Sequence, residues 1–368
     1  MKKLFKRVTS FITALAMTTT LTGGVQLVSF AEEEVFTAAL TDEAYFSVDD
    51  FGLSDDELLL GYFENKLYGI DGGISTFAVP NTRNLTTKEK SAYDAIKAAA
   101  TEIAKGDRAS AEIDVVLTWT PSEAGVDAFS PENIDTTFDN VIKTIDTGKI
   151  MSYLLADCPY EFYWFDKVEG MQIPVSMSTY TSTSLPITFK FQMSVGKEYA
   201  DTADYTVDTT VTKSASAAAT NANAIVTSNA GKSELERLTA YKDAICSLVS
   251  YDDEAVNHLN DPTYGVDPWQ VIHVFDNDAN TEVVCEGYAK AFQYLCDLDG
   301  GLTCYSVTGT MTGGTGAGGH MWNIVTLGGK NYLVDVTNCD EGTAGAPDQL
   351  FLKGMTEEET AKTYSKTI

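Results

Sequence analysis

Three residues of this 368-residue chain follow one another in the order nucleophile, base and orienting acid: Cys285, His320 and Asp335. An imidazole beside a thiol can take its proton, and the thiolate can then attack a carbonyl carbon and hold the acyl group as a thioester. A carboxylate behind the imidazole fixes its tautomer and stabilises its charged form. Chemistry of this kind calls for no cofactor and no metal.

The elements around these residues suit the task. Cys285 starts a segment in which Tyr288, Ala289, Phe292, Leu295 and Cys296 recur at the spacing of one helix face. A thiol in a first helical turn meets unpaired N–H groups and the positive end of the helix dipole, both of which favour thiolate. Cys296, on the same stripe, reads as a packing thiol. His320 opens the run MWNIVTL and Asp335 ends NYLVDV, with Gly328 and Gly329 between, which predicts an antiparallel hairpin. If the two glycines are the turn, Leu327 pairs with Lys330 and Asp335 falls opposite Trp322. His320 is then the same-face neighbour of that position, within diagonal reach of the carboxylate.

The words around these residues carry a resemblance. VCEGYAKAFQYLC at Cys285, HMWNIV at His320, YLVDVTN at Asp335 and SLVSYD at Ser247–Asp252 together resemble the transglutaminase-like superfamily, a papain-fold group with a Cys-His-Asp triad, and especially its exported bacterial members. Two departures stand out: Met321 follows the histidine where a small residue is common, and Asn338-Cys339 replaces a frequent Trp-Asp. The resemblance implies a helix bearing the cysteine packed on an antiparallel sheet bearing the histidine and aspartate. It also implies acyl transfer from peptide or protein amides, with cysteine peptidase and inactive cell-surface binding protein as the alternatives.

Composition bounds the setting. The formal charge of −28 disfavours phosphate and hence nucleic acid, and favours cationic substrates or wall components. Lys2, Lys3, Lys6 and Arg7 precede an uncharged stretch from Val8 to Phe30, the pattern of a secretory signal peptide cleaved near Ala31. Loss of its four cations takes the charge from −28 to −32. Its apolar core is too short for a membrane span and nothing later approaches one, so a secreted, extracellular protein is expected. Of the six cysteines, a nucleophilic Cys285 must stay reduced, which leaves an odd number; Cys296 and Cys304 flank a turn at Asp299–Gly301 and could pair. No Cys-x-x-Cys pair suggests zinc.

Along the chain we expect a signal peptide over 1–31, an acidic extension or linker over 32–84, an α+β accessory domain over 85–213, a linker or helix over 214–232, and a transglutaminase-like catalytic domain over 233–368. The extension holds a helix from the capping box at Ser54–Glu57 to about Tyr68. The accessory part predicts a helix after the capping box Thr86–Glu89, a strand over Ala111–Trp119, a helix after Ser130-Pro131, an alternating strand at Ile187–Met193 and another strand over Tyr199–Val211. Its aromatic cluster, Tyr160 to Phe165, reads as core more readily than as a sugar or peptide platform.

Between Tyr251 and Glu282 a long polar segment reads as cleft wall. Trp269 and His273 in it, with Gly319 and Trp322 flanking His320, are the candidate substrate contacts. Two rival motifs fail on context. Asp276–Asn280 starts like a calcium loop but has Thr281 and Gly287 where glycine and glutamate are required. Gly314–Gly319 fits a dinucleotide fingerprint but leads into a strand, not a helix, so no nucleotide cofactor is expected.

Overall fold

The computed structural model describes residues 34–38, 84–167, 169–257, 267, 269–311, 318–341, 350–354 and 364–366. The predicted signal peptide, the helix expected over 54–68 and most of the glycine-rich run before His320 lie outside the described residues. What is described mixes helices with mainly antiparallel sheets, an α+β fold.

Strands β1 (Glu34–Ala38), β2 (Glu112–Trp119), β3 (Met171–Met177) and β4 (Leu185–Met193) form one antiparallel sheet in the spatial order β1-β3-β4-β2. Ile113, Val115, Leu117 and Trp119 of β2 bury with Ile187, Phe189, Phe191 and Met193 of β4, the period of two that a sheet with one packed face demands. Pro174 and Gln172 interrupt the pattern of β3, which therefore escapes a sequence reading. Proline has no N–H to give, and the β3–β4 ladder passes over Ile173 and Pro174.

Helix α1 (Thr87–Ala104) starts at its predicted capping box, with both reciprocal bonds between Thr86 and Glu89 present, and lays Ile96, Ala100 and Ile103 on β2. Helices α2 (Ile134–Ile142) and α3 (Thr147–Asp157) follow. The aromatic run after them is core: Tyr160, Phe162, Tyr163, Trp164 and Phe165 are all buried.

The strand expected over Tyr199–Val211 does not form. Ala200 and Val207 make only an isolated bridge, Tyr205 turns the chain at φ 52°, and helix α4 (Thr209–Ala215) begins instead. The reason is local: the Asp208 carboxylate accepts the N–H groups of Thr210 and Val211, a helix cap that wins over a short alternating pattern. The alanine-rich stretch after it is helix α5 (Ala217–Ser228), with Ala218 and Ala222 buried.

Helix α6 (Glu234–Leu248) starts at a third capping box, Ser233 with Glu236. Strands β5 (Ser250–Tyr251) and β6 (Glu282–Val283) then make a two-residue parallel ladder that leads into helix α7 (Cys285–Asp299). Strands β7 (Thr303–Met311), β8 (Gly318–Leu327) and β9 (Lys330–Val334), helix α8 (Val336–Glu341), and strands β10 (Lys353–Gly354) and β11 (Tyr364–Lys366) complete the chain, with the sheet ordered β10-β9-β8-β7-β11. The β8–β9 hairpin has the predicted register, Leu327 opposite Lys330 and Asn323 opposite Val334. Gly328 and Gly329 sit at φ 58° and 74°, the left-handed pair that a two-residue turn of this twist requires.

Every residue of α7 from Cys285 to Cys296 is buried. One side lies on the second sheet, where the Asn323 amide donates to the Ala289 carbonyl at 2.9 Å and the Gln293 side chain accepts the Ser306 N–H at 2.9 Å. The other side meets earlier parts of the chain: the Gln293 amide donates to the Ala156 carbonyl at 2.8 Å, and Tyr294 stacks on Tyr160 at 4.8 Å. Cys296 and Cys304 touch as free thiols where helix and sheet pack. No helix among the described residues is long and apolar enough to cross a membrane.

Candidate active site

Cys285 occupies the first position of α7, after Val284, whose side chain gives no cap. The first N–H groups of a helix have no acceptor a full turn back, though here the Gly287 N–H already donates to the Val284 carbonyl at 2.9 Å. His320, two residues into β8, is fully buried, and its Nε2 lies 2.8 Å from Asp335 Oδ2. The Cys285 side chain is close enough to the imidazole to help raise its pKa. With Nε2 committed to Asp335, Nδ1 is the ring nitrogen left for the thiol. Burial by itself would push the His320 pKa down, but the Asp335 charge, its hydrogen bond and the Cys285 contact outweigh that and hold it up at about 10.

Asp335 is itself held. It ends the β9 strand and caps helix α8: its Oδ1 accepts the Asn338 N–H at 3.1 Å, and its Oδ2 accepts the Asn338 amide at 2.8 Å. Its backbone N–H donates to the Leu350 carbonyl at 3.0 Å. A carboxylate with both oxygens occupied by donors keeps its rotamer. The residue that departs from the family word, Asn338, is thus the one that grips Asp335. An Asp followed three positions on by Asn, at a strand-to-helix switch, is the signal that could have found it.

The set is closed from outside. Cys285 is 1% exposed, and His320 and Asp335 are 0% exposed. The His320–Asp335 pair thus sits where water is largely shut out, a setting in which a carboxylate holds a charged imidazole firmly.

No family model and no curated protein matches this chain. A solved structure described as "Crystal structure of a TGase" is similar over 44% of this chain and 43% of that one, with 15% identity and a TM-score of 0.29. This chain thus spans less than half of that structure, and a likeness at this level carries no weight for fold or activity.

The four candidate substrate contacts fall in two places. Gly319 and Trp322 are buried beside His320, and the Trp322 indole stacks on the imidazole at 6.2 Å and 20° between planes. Trp322 therefore supports the ring from behind. Trp269 and His273 belong to a separate group: the Trp269 N–H donates to Asp267, and His273, on the short helix Val271–Val274, has Nε2 4.0 Å from Glu198 Oε1. Burial pushes His273 down, against the pull of Asp267 and Asp276, and burial with the Asp267 charge pushes Glu198 up to about 7. The carboxylates of Asp276 and Asp278 are turned onto their own loop, accepting from Asp278 N, Thr281 Oγ1 and Asn280 N. Among the described residues no cluster of three or more His, Cys, Asp or Glu side chains is arranged to hold a metal ion.

Beside the nucleophile position lies a second buried set that the sequence did not suggest. Glu286, fully buried, takes Lys167 and Lys290 on the same oxygen, each at 2.6 Å. Burial would raise the Glu286 carboxyl, but the two ammonium groups bring it below its usual value. Burial pushes Lys290 down to about 8 despite Glu286, while Glu286 and Asp267 hold Lys167 up against its own burial. Lys290 is legible as an i,i+4 partner of Glu286; Lys167, 119 residues away, is not.

Proposed function

We propose that this chain is a secreted thiol acyl-transfer enzyme of the transglutaminase-like kind, acting on peptide or protein amides, cell-wall-associated ones among them. The observation that carries this reading is the buried His320, held by Asp335 at 2.8 Å and near enough to Cys285 for that side chain to bear on its pKa. In the reaction the Cys285 sulfur bonds to the amide carbonyl carbon while His320 takes the thiol proton on Nδ1. The oxyanion faces the backbone N–H groups of the first turn of α7. The C–N bond then breaks, His320 gives the proton to the leaving amine, and a thioester remains on Cys285. Water resolves it to an acid, and a primary amine resolves it to a new amide. Asp335 holds the imidazole orientation throughout and stabilises its charge.

A near-dry site slows hydrolysis of a thioester and so favours amine as acceptor, which is why transfer is placed ahead of peptidase. The same burial favours a second reading, an inactive protein of this fold, because a sulfur 1% exposed meets little solvent.

Iodoacetamide labelling followed by peptide mass analysis decides between enzyme and inactive protein. Cys285 is expected to alkylate far faster than Cys296 at neutral pH, and His320→Ala to slow it by about 10²-fold, the usual worth of a positioned base. Equal, slow labelling of both cysteines would sink the enzyme. Incubation with a glutamine-containing peptide and a tagged amine then separates the reactions: tagged peptide means transfer, and shortened or deamidated peptide means hydrolysis.

A further inference from the structure

Gln270, Lys167 and Lys290 line one small cavity, and Glu286 holds the two lysines. The cavity is about 10 Å³, room for about one water molecule, with Leu155, Phe162 and Val271 in its apolar wall. One side of it comes from α3 and the aromatic run that follows, the other from the short helix Val271–Val274 and from α7. Gln270 is 4% exposed; its amide donates to Asp267, which fixes the carboxamide, and its Oε1 makes no hydrogen bond among the described residues. A buried acceptor in that condition is costly unless a donor reaches it. Lys290 Nζ and Lys167 Nζ each lie 2.6 Å from Glu286 Oε1, while Glu286 Oε2 has no hydrogen-bond partner among the described residues. Burial pushes Lys290 down to about 8, and the Lys167 charge beside it pushes the same way, so free amine is present at mildly alkaline pH. Lys167, which Glu286 and Asp267 hold up against its own burial, stays an ammonium. An amine, a carboxamide, an ammonium and an unoccupied carboxylate oxygen thus gather in one buried place.

We propose that Lys290 and Gln270 join in an isopeptide bond that the folded chain forms by itself, releasing ammonia. The lysine stem is flexible enough to carry Nζ across a cavity of this size. Its nitrogen bonds to the Gln270 side-chain carbonyl carbon, and the charge that develops on Oε1 faces the Lys167 ammonium. Glu286 takes the proton that the Lys290 nitrogen sheds and returns one to the departing amide nitrogen. The C–N bond of the carboxamide breaks, ammonia leaves, and a secondary amide remains. No oxidant, cofactor or second substrate enters. The bond fastens α7 to the short helix before it, and it asks nothing of Cys285, so it goes beyond the acyl-transfer reading and does not rest on it.

Digestion after glutamate reads the bond directly, because cuts at Glu282 and Glu286 put Gln270 and Lys290 on separate peptides. The full chain is held at about pH 8, where Lys290 is part free amine, and digested with its thiols reduced. Mass analysis is expected to find the two peptides joined and together lighter by one ammonia. Lys290→Arg keeps a cation beside Glu286 and Gln270→Met keeps the length of the side chain, and each is expected to lose the joined species entirely. Cys285→Ala is expected to keep it. Separate peptides in the parent overturn the proposal and leave the acyl-transfer reading standing. A bond from Gln270 to Lys167 overturns the choice of amine. Loss of the joined species in Cys285→Ala overturns self-formation, since Cys285 would then be making the cross-link.

Discussion

Two buried charged sets stand on adjacent residues of one helix turn, and they are built to opposite purposes. Glu286, at the second position of α7, takes two ammonium groups on one oxygen and ties the turn to Lys167, far upstream in sequence. Cys285, at the first position, stands near an imidazole whose partner Asp335 is fixed by its own strand-to-helix corner. The first set pins the turn to a distant segment through one Glu286 oxygen. The second places an imidazole and a fixed carboxylate beside the sulfur. The contrast teaches that burial of charge marks a site only where one member can hand on a proton; elsewhere the same burial is fastening.

If that division is right, the largest effect on stability comes from the fastening. Lys167→Met leaves Glu286 with one ammonium in a fully buried position, and loss of one partner from a buried ion pair typically destabilises by about 3 kcal/mol. Urea denaturation should therefore show a clearly lower midpoint, while replacing Lys167, Glu286 and Lys290 together by Met, Leu and Met should restore much of it. A triple variant no better than the single one would mean that the charges do more than fasten. Next in size is an effect on reactivity with little on stability. Asn338→Ala removes one hydrogen bond from the Asp335 carboxylate and should slow Cys285 alkylation about tenfold, the order expected of a bond to a charged group, with the folded signal by circular dichroism unchanged. The smallest effect is on pH dependence. The folded His320 pKa of about 10 stands above its ordinary 6.5, so the stability it contributes is complete below about pH 6.5 and is lost as pH rises through 10. The unfolding midpoint of the parent should fall across that interval more steeply than that of His320→Gln.

The two sets were not equally legible. His320 and Asp335 are fifteen residues apart on a hairpin whose register follows from two glycines and an alternating pattern, so their meeting can be reckoned from sequence. The Glu286–Lys167 contact crosses 119 residues and depends on how two elements pack, for which no local signal exists. Helices with reciprocal caps, those starting at Thr86 and Ser233, declared themselves. The strand expected over Tyr199–Val211 was lost to a single aspartate cap at Asp208, and β3 was hidden by Pro174. The site residue that was overlooked, Asn338, was visible as a departure from the family word, and its meaning came only from the corner it closes.

The grip on α7 from the upstream side has a consequence for how this chain can be divided. A fragment beginning at Ser233 would keep Cys285, His320 and Asp335. It would also strip Lys167 from Glu286, remove the carbonyl of Ala156 from Gln293 and bare the ring of Tyr294 where Tyr160 now lies. The segment that holds Cys285 is thus not the smallest piece that can present it as it stands here, and any trimmed version has to carry the chain from about Ala156 to Lys167 along with it.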